Sequence, residues 1–331
     1  MKRIAIVCAA LALSAGALHA PARGQDFSKV EMKATRVAGN IHMLEGAGGN
    51  IGVSVGPDGI LIVDDQFAPL ADKIRAALKT LGEGKLKFVL NTHWHGDHTG
   101  GNAQFGPDAP IIAHTNVRKR LSTEQRLALG GRVQVVPPSP KEALPVITFD
   151  ESLSVHFNGE EIRVVHFPQS HTDGDSVIFF TGSNVVHMGD NFFAGRFPFV
   201  DLSSGGDVEG MAKNIGDIIA RLPAGVKIIP GHGPISGIED LRVYHRMILE
   251  TTDIVRKRMS AGKTLDQIKA EGLPDTWKDW GSGFINTNSW LETIHRSLSK
   301  RAGGAGQSVG RSPAGKSGSS DRHWHSHGHR H

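Results

Sequence analysis

One stretch governs how the rest of the chain can be arranged: Asn91-Thr92-His93-Trp94-His95-Gly96-Asp97-His98-Thr99-Gly100-Gly101-Asn102. Three histidines and an aspartate fall within six residues, directly after the apolar run Phe88-Val89-Leu90. A buried strand ending in such a loop implies a fold that brings other strand ends to the same edge. A metal ion takes about four ligands, and this stretch alone cannot complete two such sets. His93 and His95 stand two apart and point the same way in extended backbone. Asp97 and His98 follow Gly96, a residue free to take an unusual backbone angle. One ion is therefore expected beside His93 and His95 and a second beside Asp97 and His98. Imidazole and carboxylate suit zinc, iron or manganese.

Further ligands are expected where other strands run out. His171 lies in PQSHTDGDS, Asp190 in HMGDNFF and His232 in IIPGHGP. Glycine-flanked polar residues after a β-run are placed as site residues are in layered α/β folds. Asn91, Thr92 and Asp173 are candidates to fix histidine tautomers from behind. Other histidines fall elsewhere: His42, His156, His166 and His187 within β-like runs, and His114, His245 and His295 on or beside helical segments. They read as ordinary packed or solvated residues.

The chain's one cysteine, Cys8, lies near its start. Lys2 and Arg3 precede an apolar run from Ile4 to Leu13, then small residues to Ala22. Residues 1–22 read as a cleaved secretory signal. The run is shorter than the roughly 20 residues that span a bilayer. A periplasmic or secreted protein without a stable membrane anchor is expected. With the signal removed no thiol remains, so any metal must take nitrogen and oxygen ligands. The formal charge of +4 comes from the chain ends, since 28 cationic and 32 anionic side chains lie between Gly24 and Ser299. A mildly acidic body offers no footprint for nucleic acid and leaves a small-molecule substrate as the expected partner.

Residues 26–299 read as one domain. Two β-runs flank Pro57-Asp58-Gly59, an amphipathic helix follows to Gly82, and a strand then leads to His93. Residues 111–114 read as a strand and 115–129 as a helix. Four β-runs fill 153–188. A helix over 208–222, a strand over 226–230 and helices over 238–259 and 289–299 complete the pattern. Strands and helices alternate in both halves around a β-meander, so two face-to-face sheets with helices outside are expected, a four-layer αββα sandwich. From Arg301 the sequence turns Gly/Ser-rich and is expected to be disordered. It ends with His323, His325, His327, His329 and His331 at every second position, a metal-capturing tail or a solvated extension. Glu45 to Asn50 reads as a mobile loop near the site. Residues 192–201, FFAGRFPFVD, offer an apolar wall, with Arg196 available for a substrate carboxylate.

HWHGDH fits the H-x-H-x-D-H signature of the metallo-β-lactamase superfamily, and SHTDGDS, GDNFF and PGHGP resemble its remaining metal motifs in order. The resemblance spans nearly the whole expected domain and implies the αββα fold. It further implies two Zn2+ per chain: His93, His95 and His171 on one, Asp97, His98 and His232 on the other, and Asp190 bridging them as in the glyoxalase II-like branch. The implied enzyme is a dinuclear zinc hydrolase in which a metal-bound hydroxide, oriented by Asp97, attacks a carbonyl. β-Lactam ring hydrolysis is the named activity expected. Thioester, lactone or phosphoester hydrolysis is the alternative that Asp190 favours, because H-x-H-x-D-H β-lactamases usually lack the bridge. Iron-dependent oxidoreductase chemistry on the same fold is the second alternative.

Overall fold

The computed structural model describes residues 26–129 and 132–308. The secretory-signal reading, residues 1–22, and the histidines of the chain's end lie outside them. In chain order come β1 (Lys33–Ala38), β2 (Ile41–Glu45), β3 (Ile51–Gly56), β4 (Gly59–Val63), β5 (Leu86–Leu90) and β6 (Ile111–His114). A hairpin of β7 (Gln125–Leu129) and β8 (Arg132–Val136) follows, and then β9 (Ile147–Phe149). Strands β1 to β6 with β9 make a seven-stranded sheet in the order β1-β2-β3-β4-β5-β6-β9. Its first four strands are an antiparallel meander, and the pairs from β4 to β9 are parallel. The second sheet repeats this plan. It runs β10 (Ser152–Phe157), β11 (Glu160–His166), β12 (Ser176–Phe180), β13 (Val185–His187) and β14 (Lys227–Ile229), antiparallel until β14 pairs parallel with β13.

The period-two alternation of β4 shows how the layers stack. Leu61 and Val63 join a core shared with Ile162, Ile178 and Phe180 of the other sheet. Ile60 and Ile62 face outward, packing with Ile74 and Leu78 of the helix Ala71–Leu81. On the far side Val177, Val186 and Ile228 pack with Ile215 of the helix Val208–Arg221, Tyr244 of Ile238–Ser260 and Trp290 of Thr287–Ser308. Two sheets with helices outside each give the four-layer αββα sandwich. No helix among the described residues is long and apolar enough to cross a membrane.

Trp290 fixes the last helix. It is buried, its ring stacks on Phe197 at 5.8 Å, and its Nε1 donates to Thr251 Oγ1 at 3.0 Å. Trp290→Ala should destabilise the fold by about 3–5 kcal/mol through the cavity left behind, measured as a shift of the urea-unfolding midpoint.

Two expectations change. Residues 115–129 are not one helix: a helix covers Thr115–Leu121, and Gln125–Leu129 pairs with Arg132–Val136 as a hairpin. The alternation of QRLAL and RVQVV about Gly130-Gly131 is a hairpin signal that outweighs the helical propensity of the first strand. The last helix also runs past Arg301 to Ser308. Arg301 bonds to both carboxylate oxygens of Asp207, with Nε at 2.9 Å from Oδ2, and pairs with Glu209. The start of the segment expected to be disordered is thereby tied to the domain.

Candidate metal centre

The ends of β4, β5, β11, β13 and β14 meet at one edge of the sandwich. After β5, Asn91 N–H donates to Ile112 O at 3.0 Å and Thr92 N–H to Asp64 Oδ1 at 2.8 Å, which carries His93 into the gap between the sheets. His95 precedes a one-turn helix, Gly96–Thr99, holding Asp97 and His98. Gly96 is not in the left-handed region, contrary to the reason expected for it. The unusual backbone lies instead at Asp64 (φ 64°) and Gln66 (φ 56°). At Gly49, beside the centre, a Cβ would lie 2.1 Å from the His98 ring. The loop from Glu45 to Asn50 therefore sits at the site, as expected from its sequence.

All seven candidate residues converge in two groups: His93, His95, His171 and Asp190, and Asp97, His98 and His232, with potential ligand atoms within 4.8 Å of one another in each. In the first, His95 Nδ1 lies 3.1 Å from His93 Nε2 and 2.8 Å from His171 Nε2. In the second, His232 Nε2 lies 3.4 Å from His98 Nε2 and 3.3 Å from Asp97 Oδ2. Asp190 spans both. Its Oδ2 is 3.4 Å from His171 Nε2 and 3.7 Å from His93 Nε2, while its Oδ1 is 3.1 Å from His98 Nε2 and 3.3 Å from His232 Nε2. A tetrahedral ion with ligands at about 2.0–2.1 Å would separate neighbouring ligand atoms by about 3.3 Å, within the spread observed. Asp190 Oδ1 is buried without a hydrogen-bond partner of ordinary geometry. A buried carboxylate oxygen ringed by imidazole nitrogens fits divalent cations better than protons.

The electrostatics separate the groups. Burial holds His93 well below the usual imidazole range and brings His171 down to about 4, so both are neutral at pH 7. Burial also opposes charge on His98, but Asp190, Asp97 and Asp64 overcome it and hold its pKa well above the usual range. Against the same penalty, Asp190 and Asp97 lift His232 to about 9. Burial would raise both carboxylates, yet the imidazoles bring Asp97 to about 2 and Asp190 well below the usual range. A cation at the second group must displace protons from His98 and His232, whereas His93 and His171 in the first are already neutral near pH 7. Raising the pH removes these competitors. Affinity at the second group should therefore rise by up to about tenfold per pH unit for each proton displaced, more steeply than at the first group. Zinc titrations by calorimetry at three pH values should resolve two steps, one of them markedly more pH-dependent than the other.

The residues behind the ligands differ in part from expectation. Thr92 does face a histidine, its Oγ1 lying 3.0 Å from His93 Nδ1. Asn91 instead pairs with Asn102, and Asp173 is taken by Arg120 in a bidentate pair at 2.7 Å. Two other aspartates hold the ligands. Asp64 Oδ2 is 2.8 Å from His98 Nδ1 and Asp201 Oδ2 is 3.2 Å from His95 Nε2. Burial works against ionised Asp201, but hydrogen bonds from His95, Ser203 and Ser204 hold its carboxyl below the usual range. The Phe199 carbonyl accepts from His171 Nδ1 at 2.7 Å. Asp64 ends a buried strand, a signal the sequence carried, whereas nothing local marks Asp201. His114 and His166 stack on each other away from the centre, and His187 donates to Asn50 O at 3.0 Å.

A cleft of about 640 Å³ opens onto the centre, lined by His95, Asp97, Asp190 and His232. Phe193 stacks on His232 at 5.1 Å, and Phe199 lies 5.7 Å from both His95 and His171. The apolar wall expected of residues 192–201 thus borders the ligands.

A sequence profile described as the metallo-beta-lactamase superfamily matches residues 40–232. The 2,4-dinitroanisole O-demethylase subunit alpha of Nocardioides sp. is 29% identical over 146 residues, covering 42% of this chain and 40% of that protein. The hydroxyacylglutathione hydrolase of Gloeobacter violaceus is 25% identical over 236 residues, covering 70% of this chain and 80% of that one. The solved DIM-1 metallo-beta-lactamase shares the fold with a TM-score of 0.54 at 19% identity, over 67% of this chain and 99% of that one. The profile spans more than half of the chain and encloses every residue of the His/Asp cluster, so the chain belongs to the metallo-beta-lactamase superfamily.

Proposed function

We propose that this chain is an exported hydrolase that works with two zinc ions and directs water at a carbonyl carbon. The observation that carries the reading is Asp190, whose two oxygens each face one of the ligand groups. When bound, such an ion pair supplies a nucleophilic water at neutral pH and polarises the bond under attack. Asp97 remains ionised and partly open to the cleft, so its carboxylate can accept a hydrogen bond from the attacking water and orient it. Asp64, Asp201 and the Phe199 carbonyl hold three of the imidazoles in fixed orientation. The aromatic wall excludes water around the carbonyl and strengthens each polar contact within.

The bridging position of Asp190 favours thioester or lactone hydrolysis, as in the glyoxalase II-like branch, and the likeness to a hydroxyacylglutathione hydrolase supports it. β-Lactam cleavage is the second reading, supported by the H-x-H-x-D-H motif and by the leader-like first residues, Lys2 and Arg3 before an apolar run. A panel of a thioester, lactones, nitrocefin and an aryl phosphodiester on zinc-loaded protein tests both. The favoured reading expects turnover of the thioester or a lactone well above that of nitrocefin. Nitrocefin turned over fastest would select the second, and no turnover of any compound with both ions bound would overturn the hydrolase. Stoichiometric iron without zinc, in protein purified without added metal, would instead favour oxidoreductase chemistry.

A further inference from the structure

The lining of the cleft includes apolar side chains beyond the aromatic wall, Leu127, Phe284 and Ile285 among them. The β7–β8 hairpin supplies part of this lining. Leu127 and Gln134 pair across its strands, so they share a face, and both line the cleft. Phe284 and Ile285 also line it, from the segment before the last helix. Phe284 is 71% exposed and, on the outer face of the hairpin, Val133 is 62% exposed. An aromatic ring left in water at the edge of a concave site is unpaired apolar surface that a ligand can cover. Arg196 lies in the same wall, half-buried, with its stem against Gly283. Among the described residues no ion pair or hydrogen bond engages its guanidinium. Asp97 and Asp190 at the cleft floor carry the opposite charge, so a fixed cation in the wall marks where an anionic group of a ligand can sit.

We infer that the substrate is a small monoanionic amphiphile, a carbonyl compound whose carboxylate meets Arg196 and whose apolar chain runs out between the hairpin and Phe284. The inference names the substrate class of the hydrolase proposed above and rests on that reading only for the reaction itself. The neutral, purely apolar alternative leaves Arg196 without a purpose, and a polar, multiply charged substrate leaves Phe284, Ile285 and Leu127 without one.

Equilibrium binding tests it without turnover. Straight-chain alkanoates of four to ten carbons, below their micelle concentrations, are titrated calorimetrically into the zinc-loaded full chain. Affinity should rise about fourfold per added methylene, the gain for moving a methylene from water to an apolar site. In Phe284→Ser and Leu127→Ser the increment should fall toward one. In Arg196→Gln the increment should persist while every affinity drops about tenfold, the scale of one charge-assisted hydrogen bond. Matching 1-alkanols should bind the wild type no better than alkanoates bind Arg196→Gln. Affinity independent of chain length, an unchanged increment in both Ser variants, or alkanols binding as tightly as alkanoates would each overturn the inference. A protein that shows the increments but hydrolyses nothing loses the hydrolase assignment alone. A hydrolase indifferent to chain length loses only the amphiphile.

Discussion

Asp190→Asn should cut turnover on the order of a thousandfold, the scale of losing about 4 kcal/mol of transition-state stabilisation. Asp190 is almost fully buried and faces four imidazole nitrogens, His93, His98, His171 and His232, at 3.1–3.7 Å. The asparagine keeps the side-chain volume but removes one anionic oxygen and the charge. The nitrogen replacing one carboxylate oxygen then points an N–H at one ligand group, where a lone pair is needed. The first group loses its one carboxylate, whereas the second keeps Asp97. Metal content after dialysis should therefore fall from two zinc ions per chain toward one, with circular dichroism unchanged. Wild-type turnover with two retained ions would refute the bridging role.

Asp64→Ala is expected to have the second-largest effect, although Asp64 lies behind the ligands. Its carboxylate accepts from Thr92 N–H at 2.8 Å and Thr92 Oγ1 at 2.7 Å, and faces His98 Nδ1 at 2.8 Å. All of these groups are buried. Removing the carboxylate strands three polar partners, each at a cost of about 1–3 kcal/mol. It also places an alanine at φ 64°, where a side chain without local hydrogen bonds is strained. Zinc affinity should drop about 10–100-fold, and stability by several kcal/mol at the least. Asp64→Asn separates the two effects. It keeps an acceptor for Thr92 but loses the anion beside His98, so it should recover most of the stability and little of the affinity. Equal recovery of both would mean that Asp64 serves only the fold.

The convergence of the candidate ligands was legible because their chemistry is local: four donor side chains in six residues after β5, then one polar residue after each of β11, β13 and β14. Strand ends can be read from apolar runs, and the parallel plan brings those ends to one edge. The supporting residues were less legible because their partners are chosen by tertiary contact. Asp173 sits two residues from His171, yet Arg120, 53 positions earlier, claims it. Asp201 reaches His95 across 106 positions, and nothing in FVDLSS distinguishes it from a capping aspartate. It does cap a turn as well, accepting from Ser203 and Ser204 N–H. The hairpin at 125–136 was masked by helix-favouring residues whose alternation became decisive once the strand paired with its partner.

The central claim is that side chains far apart in the sequence hold two cations around Asp190. A crystal structure of the zinc-loaded protein with anomalous data at the zinc edge tests it most directly. Two peaks about 3.5–4 Å apart, one against His93, His95 and His171 and the other against Asp97, His98 and His232, with Asp190 touching both, is the expected result. A single peak, or two peaks of which one lies away from these residues, would contradict it.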